Sequence, residues 1–268
     1  DASSSSESIS LDDETINVTI KKFPVQIISI ENLEYTLDEY ISKYEVTDDE
    51  ISSILFQVIM ILITYQKIFD FTHNDLHTNN IMFNRTEQEF LYYLFKGKYY
   101  KVPTYGKIFK IIDFGRSIYR YNGKLMCSDS YDLKNGDAAT QYNFEPYYNK
   151  NKPRVEPNKA FDLCRLACSL YDHFIDEPSD LKNIKKNSVA ELIIDWVKDR
   201  QDRNILYKSN GKERYEGFKL YKMIARDVYK QTPEAQLSKP IFKKFLTQRR
   251  HIKLNEYFMN IDKYKPLI

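Results

Sequence analysis

The sequence predicts an α+β fold that is mainly helical. Two observations carry this reading. β-branched and aromatic runs gather in the first 113 positions, whereas most of the chain beyond position 158 repeats apolar residues at helical spacing. Within the first region lies one run, "TDDEISSILFQVIMILITYQKIFDF" (47–71), that is apolar on nearly every face, as a helix at the centre of a domain must be.

Residues 1–14 form a Ser-rich acidic tail that lacks the apolar content to fold. "TINVTIKKFPVQIISIE" (15–31) reads as two strands joined at Lys-Lys-Phe-Pro, and its Lys21 and Lys22 are expected to face solvent. "TLDEYISKY" (36–44) is a short helix with Thr36 as N-cap and Glu39 at capping-box spacing, and Thr47 with Glu50 repeats the signature. "NIMFN" (80–84) is a short strand, 89–103 a Tyr/Phe-rich hairpin around Lys-Gly-Lys, and "KIFKIID" (107–113) a further strand. From 116 to about 157, Gly123, Gly136, Pro146, Pro153 and Pro157 punctuate a long loop. Helices are expected over 159–175, 188–200, 217–231 and 239–252.

Composition narrows the function. With 42% hydrophobic residues in 268, the chain can bury a sizeable core. Forty Lys+Arg against 38 Asp+Glu leave a charge of +2, short of the excess a phosphate-backbone binder needs, so no nucleic-acid partner is expected. "ILFQVIMILI" (54–63) is about half a bilayer span and carries Gln57, so no membrane partner is expected either. Cys127, Cys164 and Cys168 cannot make a disulfide framework, and Cys164 and Cys168, one helical turn apart in an apolar run, read as reduced core residues. No signal peptide opens the chain, and Asp1 in place of Met points to a processed or truncated product, so an intracellular location is expected.

The chemistry concentrates in "THNDLHTNNIMF" (72–83) and "IIDFG" (111–115). Setting their strands side by side brings Asp75, Asn80 and Asp113 to one small volume. Phosphoryl transfer needs such a set: a carboxylate to orient and deprotonate the attacking hydroxyl, and hard oxygen ligands for Mg²⁺. Magnesium keeps several waters, so one Asp and one Asn suffice.

These stretches resemble the protein-kinase family. His73, Asp75, Leu76 and Asn80 match the catalytic loop H-R-D-L-x-x-x-N, and Asp113, Phe114 and Gly115 match D-F-G. "VQIISIENLEYTLDEYI" is similar to a kinase fifth strand, hinge and first C-lobe helix, and "AFDLCRLACSLYD" to the buried helix whose aspartate, here Asp162, braces the catalytic loop. The resemblance covers roughly residues 16–175. It implies a kinase-like architecture: N-lobe remnant strands and hinge at 15–33, and a C-lobe over 34–268 with the Tyr-rich hairpin as an insertion. It implies ATP and Mg²⁺ as cofactors, with Asp75 as catalytic base and His77 beside it. Glu31, Asn32 and Leu33 would line the nucleotide at the hinge, and Asn80 and Asp113 would hold the metal. His73 would be a strut under the loop, Phe114 a packing residue and Gly115 a pivot.

The chain departs from the family in places. Asn74 stands where many kinases have the Arg that grips a phosphorylated activation loop, so control by such a phosphate is not expected. His77 replaces a Lys, a "DLH" variant that resembles haspin-like kinases and also small-molecule kinases of the aminoglycoside and choline type. Asp75 and Asp113 lie 38 positions apart, where ordinary kinases need roughly half as many. The A-P-E motif is missing, with "FEPYY" a weak substitute, and no glycine-rich loop, strand-three lysine or partner glutamate precedes Glu31. Three readings are compatible with this pattern. The first is a divergent Ser/Thr protein kinase like those of giant DNA viruses, acting on a protein substrate, with its N-lobe on an upstream segment or a separate chain. The others are a pseudokinase interaction module and a small-molecule kinase.

Overall fold

The computed structural model describes residues 22, 24, 27–175, 180–253 and 256–268. The chain divides into two compact units, Asp1–Asn32 and Leu33–Ile268. In the first, the expected tail and the expected first strand fall outside the described residues. Lys22 sits exposed in a turn with φ of 57°, as the reading of a solvent-facing lysine requires. Residues 27–30, expected to extend the second strand, are irregular, and Ile27, Ile28 and Ile30 are exposed. A strand is defined by its ladder, and among the described residues this run enters none.

The second unit is α+β. Helix α1 (Leu37–Lys43) starts with the complete capping box between Thr36 and Glu39. Helix α2 (Asp48–Phe69) starts at Thr47, whose hydroxyl accepts from the Glu50 N–H at 3.3 Å. Its second half-box is missing because the Glu50 carboxylate turns instead to the Tyr40 hydroxyl (2.7 Å) and Lys107 (3.0 Å). Among the described residues α2 is the one helix long and apolar enough to cross a membrane, yet 72% of that apolar window lies buried in the unit's own core. Its polar residues serve neighbouring strands. Buried Gln57 accepts from Phe109 N–H at 3.0 Å and donates to Lys107 carbonyl at 3.4 Å, and Ser53 donates to the Pro103 carbonyl, so a buried strand edge is satisfied by the helix.

Strands β1 (Ile81–Arg85) and β4 (Lys107–Ile111) pair antiparallel, with Ile81 opposite Ile111 and Phe83 opposite Phe109 on the buried face. β2 (Phe90–Phe95) and β3 (Lys98–Pro103) form the expected hairpin. Its two-residue turn has φ of 48° at Lys96 and 70° at Gly97, the doubly positive turn whose twist matches paired strands. Of its six aromatics, Tyr92, Tyr93, Phe95 and Tyr100 are buried, and Tyr93 and Tyr100 pack on Phe56 of α2 at 6.4 and 5.3 Å. The hairpin is core rather than a free docking surface.

Three expectations need correction. The loop at 116–157 contains a small hairpin, β5 (Tyr119–Tyr121) and β6 (Lys124–Met126), turned at Asn122-Gly123 with φ of 49° and 75°. Asn-Gly is the strongest short hairpin signal, but three-residue arms are too short to show a period of two. Second, the helix expected over 239–252 is only α7 (Pro240–Lys243). Phe242 and Phe245 pack on Phe56 at 5.5 and 4.9 Å, and Lys101 N–H then donates to Phe245 carbonyl at 2.8 Å. That bond draws Leu246–Thr247 (β7) onto the edge of β3, while Met259–Asn260 (β8) joins β2 in parallel, making a four-stranded sheet in the order β7-β3-β2-β8. Third, the remaining helices are shorter or unforeseen. α3 (Phe161–Phe174) and α5 (Phe218–Asp227) lie within their expected spans, and the one-turn α6 (Pro233–Gln236) was not foreseen. α4 (Val189–Trp196) stops early because Asp199 accepts from Gln201 and Arg203 N–H and competes with helix continuation. Cys164 and Cys168 are unpaired as disulfides and buried on α3.

Candidate functional site

Asp162 opens α3 fully buried, and its carboxylate accepts from the backbone N–H groups of His73 (3.0 Å) and Asn74 (2.8 Å). Burial pushes its pKa above the usual carboxylate range, and the two N–H bonds offset this only in part. Without this acceptor the turn at 73–74, where Asn74 has φ of 67°, would bury two unpaired donors. The Asn74 side chain closes the turn from the other side: its amide donates to Thr72 Oγ1 (3.0 Å) and Arg116 carbonyl (3.0 Å), and its oxygen accepts from the Tyr142 hydroxyl (2.7 Å).

His73 lies beneath the loop. Its Nδ1 accepts from Asp75 N–H at 3.3 Å, so Nε2 carries the proton and donates to Ile112 carbonyl at 2.9 Å. Ile112 N–H in turn donates to Asn80 carbonyl at 3.0 Å, extending the β1–β4 ladder by one step. Asp113, next in sequence, thus emerges beside Asn80. The Asn80 amide spends both hydrogens inside the loop, on Asp75 carbonyl (3.0 Å) and His77 Nε2 (3.2 Å), which leaves its carbonyl oxygen as the group available to a cation. Because an amide N–H can only donate, His77 Nε2 is an acceptor. Burial, then the nearby Arg165, hold the imidazole pKa below its ordinary value, against the pull of Asp75 and Asp113. His77 is therefore a neutral group at pH 7 and brings no positive charge to the site.

The two carboxylates differ. Asp75 accepts from the Tyr221 hydroxyl at Oδ1 (2.7 Å) and lies 3.6 Å at Oδ2 from Arg116 Nη1. Asp113 is exposed, with φ of 60°, and accepts from Gly115 N–H at 3.3 Å. Gly115 itself has no left-handed φ. What the position needs is the missing side chain, since a Cβ there would stand 3.2 Å from Asp113 Oδ1. Phe114 is 45% exposed yet touches Phe71 and His73, at centroid distances of 6.0 and 5.6 Å.

The predicted set Asp75, His77, Asn80 and Asp113 is thus gathered over His73 and Asp162. Glu31 and Asn32 belong to the first unit and Leu33 opens the second, where Glu34 N–H donates to Phe83 carbonyl at 3.0 Å. Among the described residues, no group of three or more His, Cys, Asp or Glu is placed to hold a metal ion by itself. An Asn–Asp pair of hard oxygens fits a cation that takes few protein ligands and keeps its waters, as Mg²⁺ does. Sequence reasoning missed Arg116, Arg165, Tyr142 and Tyr221. Arg116 follows D-F-G directly and could have been flagged, whereas Tyr221 lies 146 positions from Asp75 with no local motif.

No protein-family model matches the chain. It is 32% identical over 167 residues to an uncharacterized protein of Invertebrate iridescent virus 6, covering 60% of this chain and 24% of that protein. It is 27% identical over 161 residues to the Serine/threonine-protein kinase haspin homolog of Arabidopsis thaliana, covering 58% of this chain and 26% of the relative. Against Serine/threonine-protein kinase haspin of Mus musculus it is 33% identical over 98 residues, covering 35% and 13%. The match spans about a quarter or less of each relative's length. The chain is an α+β protein related in sequence, at modest identity, to haspin Ser/Thr kinases and to a viral protein.

Proposed function

We propose that the chain carries the C-lobe catalytic machinery of an ATP- and Mg²⁺-dependent protein kinase of the haspin-like kind, transferring phosphate to Ser/Thr hydroxyls of a protein. The observation that carries this reading is Asp162 holding the backbone of 73–74 while Asp75, Asn80 and Asp113 are gathered around that turn. The haspin relatives support a protein over a small-molecule acceptor.

In this reading Asp75 orients the acceptor hydroxyl and takes its proton. Asn80 Oδ1 and the Asp113 carboxylate hold Mg²⁺, which when bound neutralises charge developing on the transferred phosphoryl group. Neutral His77 fixes the Asn80 amide through Nε2, so its first task is orientation. Leu33, which opens the second unit, lines the nucleotide. The phosphate clamps of an N-lobe come from an upstream segment or a separate chain. An intracellular or virion location goes with this reading.

Phosphate transfer from radiolabelled ATP to a protein panel by the full-length protein tests it. Activity that needs Mg²⁺ and disappears in Asp75→Ala supports the reading, and equal transfer by wild type and variant refutes it. A second reading, a pseudokinase interaction module, is favoured by one observation: Asp75 already carries Tyr221 and Arg116. Mg·ATP-dependent stabilisation without transfer to any substrate would select that module.

A further inference from the structure

Helix α5 contributes a hydroxyl to the site from far along the chain. Tyr221 donates to Asp75 Oδ1 at 2.7 Å, and its oxygen accepts from Arg165 Nε at 2.9 Å. The direction of this relay is fixed, since a guanidinium can only donate, so the phenol's own proton must point at the carboxylate. The ring is held as firmly as the hydroxyl. It stacks on Phe218 at 5.3 Å and packs on Phe161 at 6.0 Å, with the guanidinium carbons of Arg165 and Arg116 at 5.1 and 5.6 Å from its centroid. The helix is tied down in its turn. Arg226 donates to the Thr140 and Gln141 carbonyls, and Asn158 donates to the carbonyls of Ala225 and Val228 at its C-terminal end.

We infer that Tyr221, oriented by Arg165, is a positioning residue for the Asp75 carboxylate: it hydrogen-bonds Oδ1, while Arg116 Nη1 stands 3.6 Å from Oδ2, beyond hydrogen-bond length, so Oδ2 is the oxygen left to accept from the incoming substrate hydroxyl. The inference rests on the kinase reading above. During transfer the hydroxyl proton passes to Oδ2, the substrate oxygen forms its bond to the γ-phosphorus of ATP, and the bond to the departing ADP breaks. Tyr221 exchanges no atoms. Its contribution is that the carboxylate need not rotate to find the acceptor, and misplacement of a reacting group by about 1 Å can cost on the order of 10²-fold in rate.

The experiment is steady-state kinetics on the full-length protein, with ATP and the protein substrate varied in turn. Tyr221→Phe keeps the ring and deletes the hydroxyl, and is expected to lower kcat by about 10- to 100-fold while leaving KM for ATP unchanged. Arg165→Gln, which frees the phenol to turn, is expected to act in the same direction and covers the case in which Tyr221→Phe fails to fold. In the Asp75→Ala background Tyr221→Phe is expected to have no further effect, because the hydroxyl acts only through that carboxylate. An unchanged or raised kcat in Tyr221→Phe, with Asp75→Ala inactive, overturns the inference and leaves the kinase reading standing; a raised kcat would make the phenol a plug. A full Tyr221→Phe effect in the Asp75→Ala background overturns it too. Equal transfer by wild type and Asp75→Ala removes the kinase reading and this inference together.

Discussion

The carboxylates of Asp75 and Asp113 belong to one site but are built in opposite ways. Asp75 is hydrogen-bonded at Oδ1 by the Tyr221 hydroxyl and has the Arg116 guanidinium 3.6 Å from Oδ2, with its side chain 21% exposed. Asp113 is exposed at the start of its turn and accepts from a backbone N–H two residues on. Arg116 itself is shared, reaching Asp137 at 2.6 Å; burial alone would lower its pKa, but Asp137 and Asp75 carry it above its ordinary value. On the proposed reading this contrast has a reason: Asp75 would meet a hydroxyl at a set angle and is preorganised by the fold, whereas Asp113 would meet a hydrated cation and is left open, because the ion and the phosphates would supply the remaining contacts.

Substitutions can break this contrast or sharpen it. The largest effect is expected from Asp75→Ala, which should cut phosphate transfer by about 10²- to 10⁴-fold while Mg·ATP still raises the melting temperature. Loss of that stabilisation together with activity would erase the distinction between the two carboxylates. Asp162→Ala should come next. It leaves two buried N–H donors unmatched, at about 1–3 kcal/mol each, read as a lower urea midpoint at unchanged m-value. A wild-type midpoint would mean the brace is dispensable. Third, Asp113→Ala should remove the Mg·ATP stabilisation, worth about 2.7 kcal/mol at a ligand concentration 100 times its Kd. A shift equal to that of wild type in a thermal melt would exclude Asp113 as a ligand. The smallest change is expected for Gly115→Ala. Its φ suits alanine, so stability should move by less than about 1 kcal/mol, but the new Cβ crowds Asp113 Oδ1 and should weaken Mg²⁺ binding by calorimetry. Unaltered Mg²⁺ affinity would show that the carboxylate has room to give.

The site was legible where chemistry and local order coincide. His73, Asp75, Asn80 and Asp113 fall within two short stretches, and adjacent paired strands bring them together. The capped helices α1 and α2 and the Lys-Gly-Lys hairpin were readable because caps and two-residue turns are determined by immediate neighbours. What escaped is tertiary. Nothing near Leu246 or Met259 shows that they add edges to a hairpin some 150 positions earlier. The apolar spacing of Ile241, Phe242 and Phe245 suits a helix equally well, and contact with Phe56 decides where it stops. Tyr221 was hidden for the same reason, as one tyrosine among 22 that differs from the others only in what the fold places opposite its hydroxyl.

The buried amide of Asn74 has a consequence for control. It ties Thr72, just ahead of the turn at 73–74, to the Arg116 carbonyl and to Tyr142 with uncharged hydrogen bonds, so this segment is set at the moment of folding. On the proposed kinase reading, no phosphate would be needed to set this segment, so control through that position would fall to the amount of protein made rather than to its state.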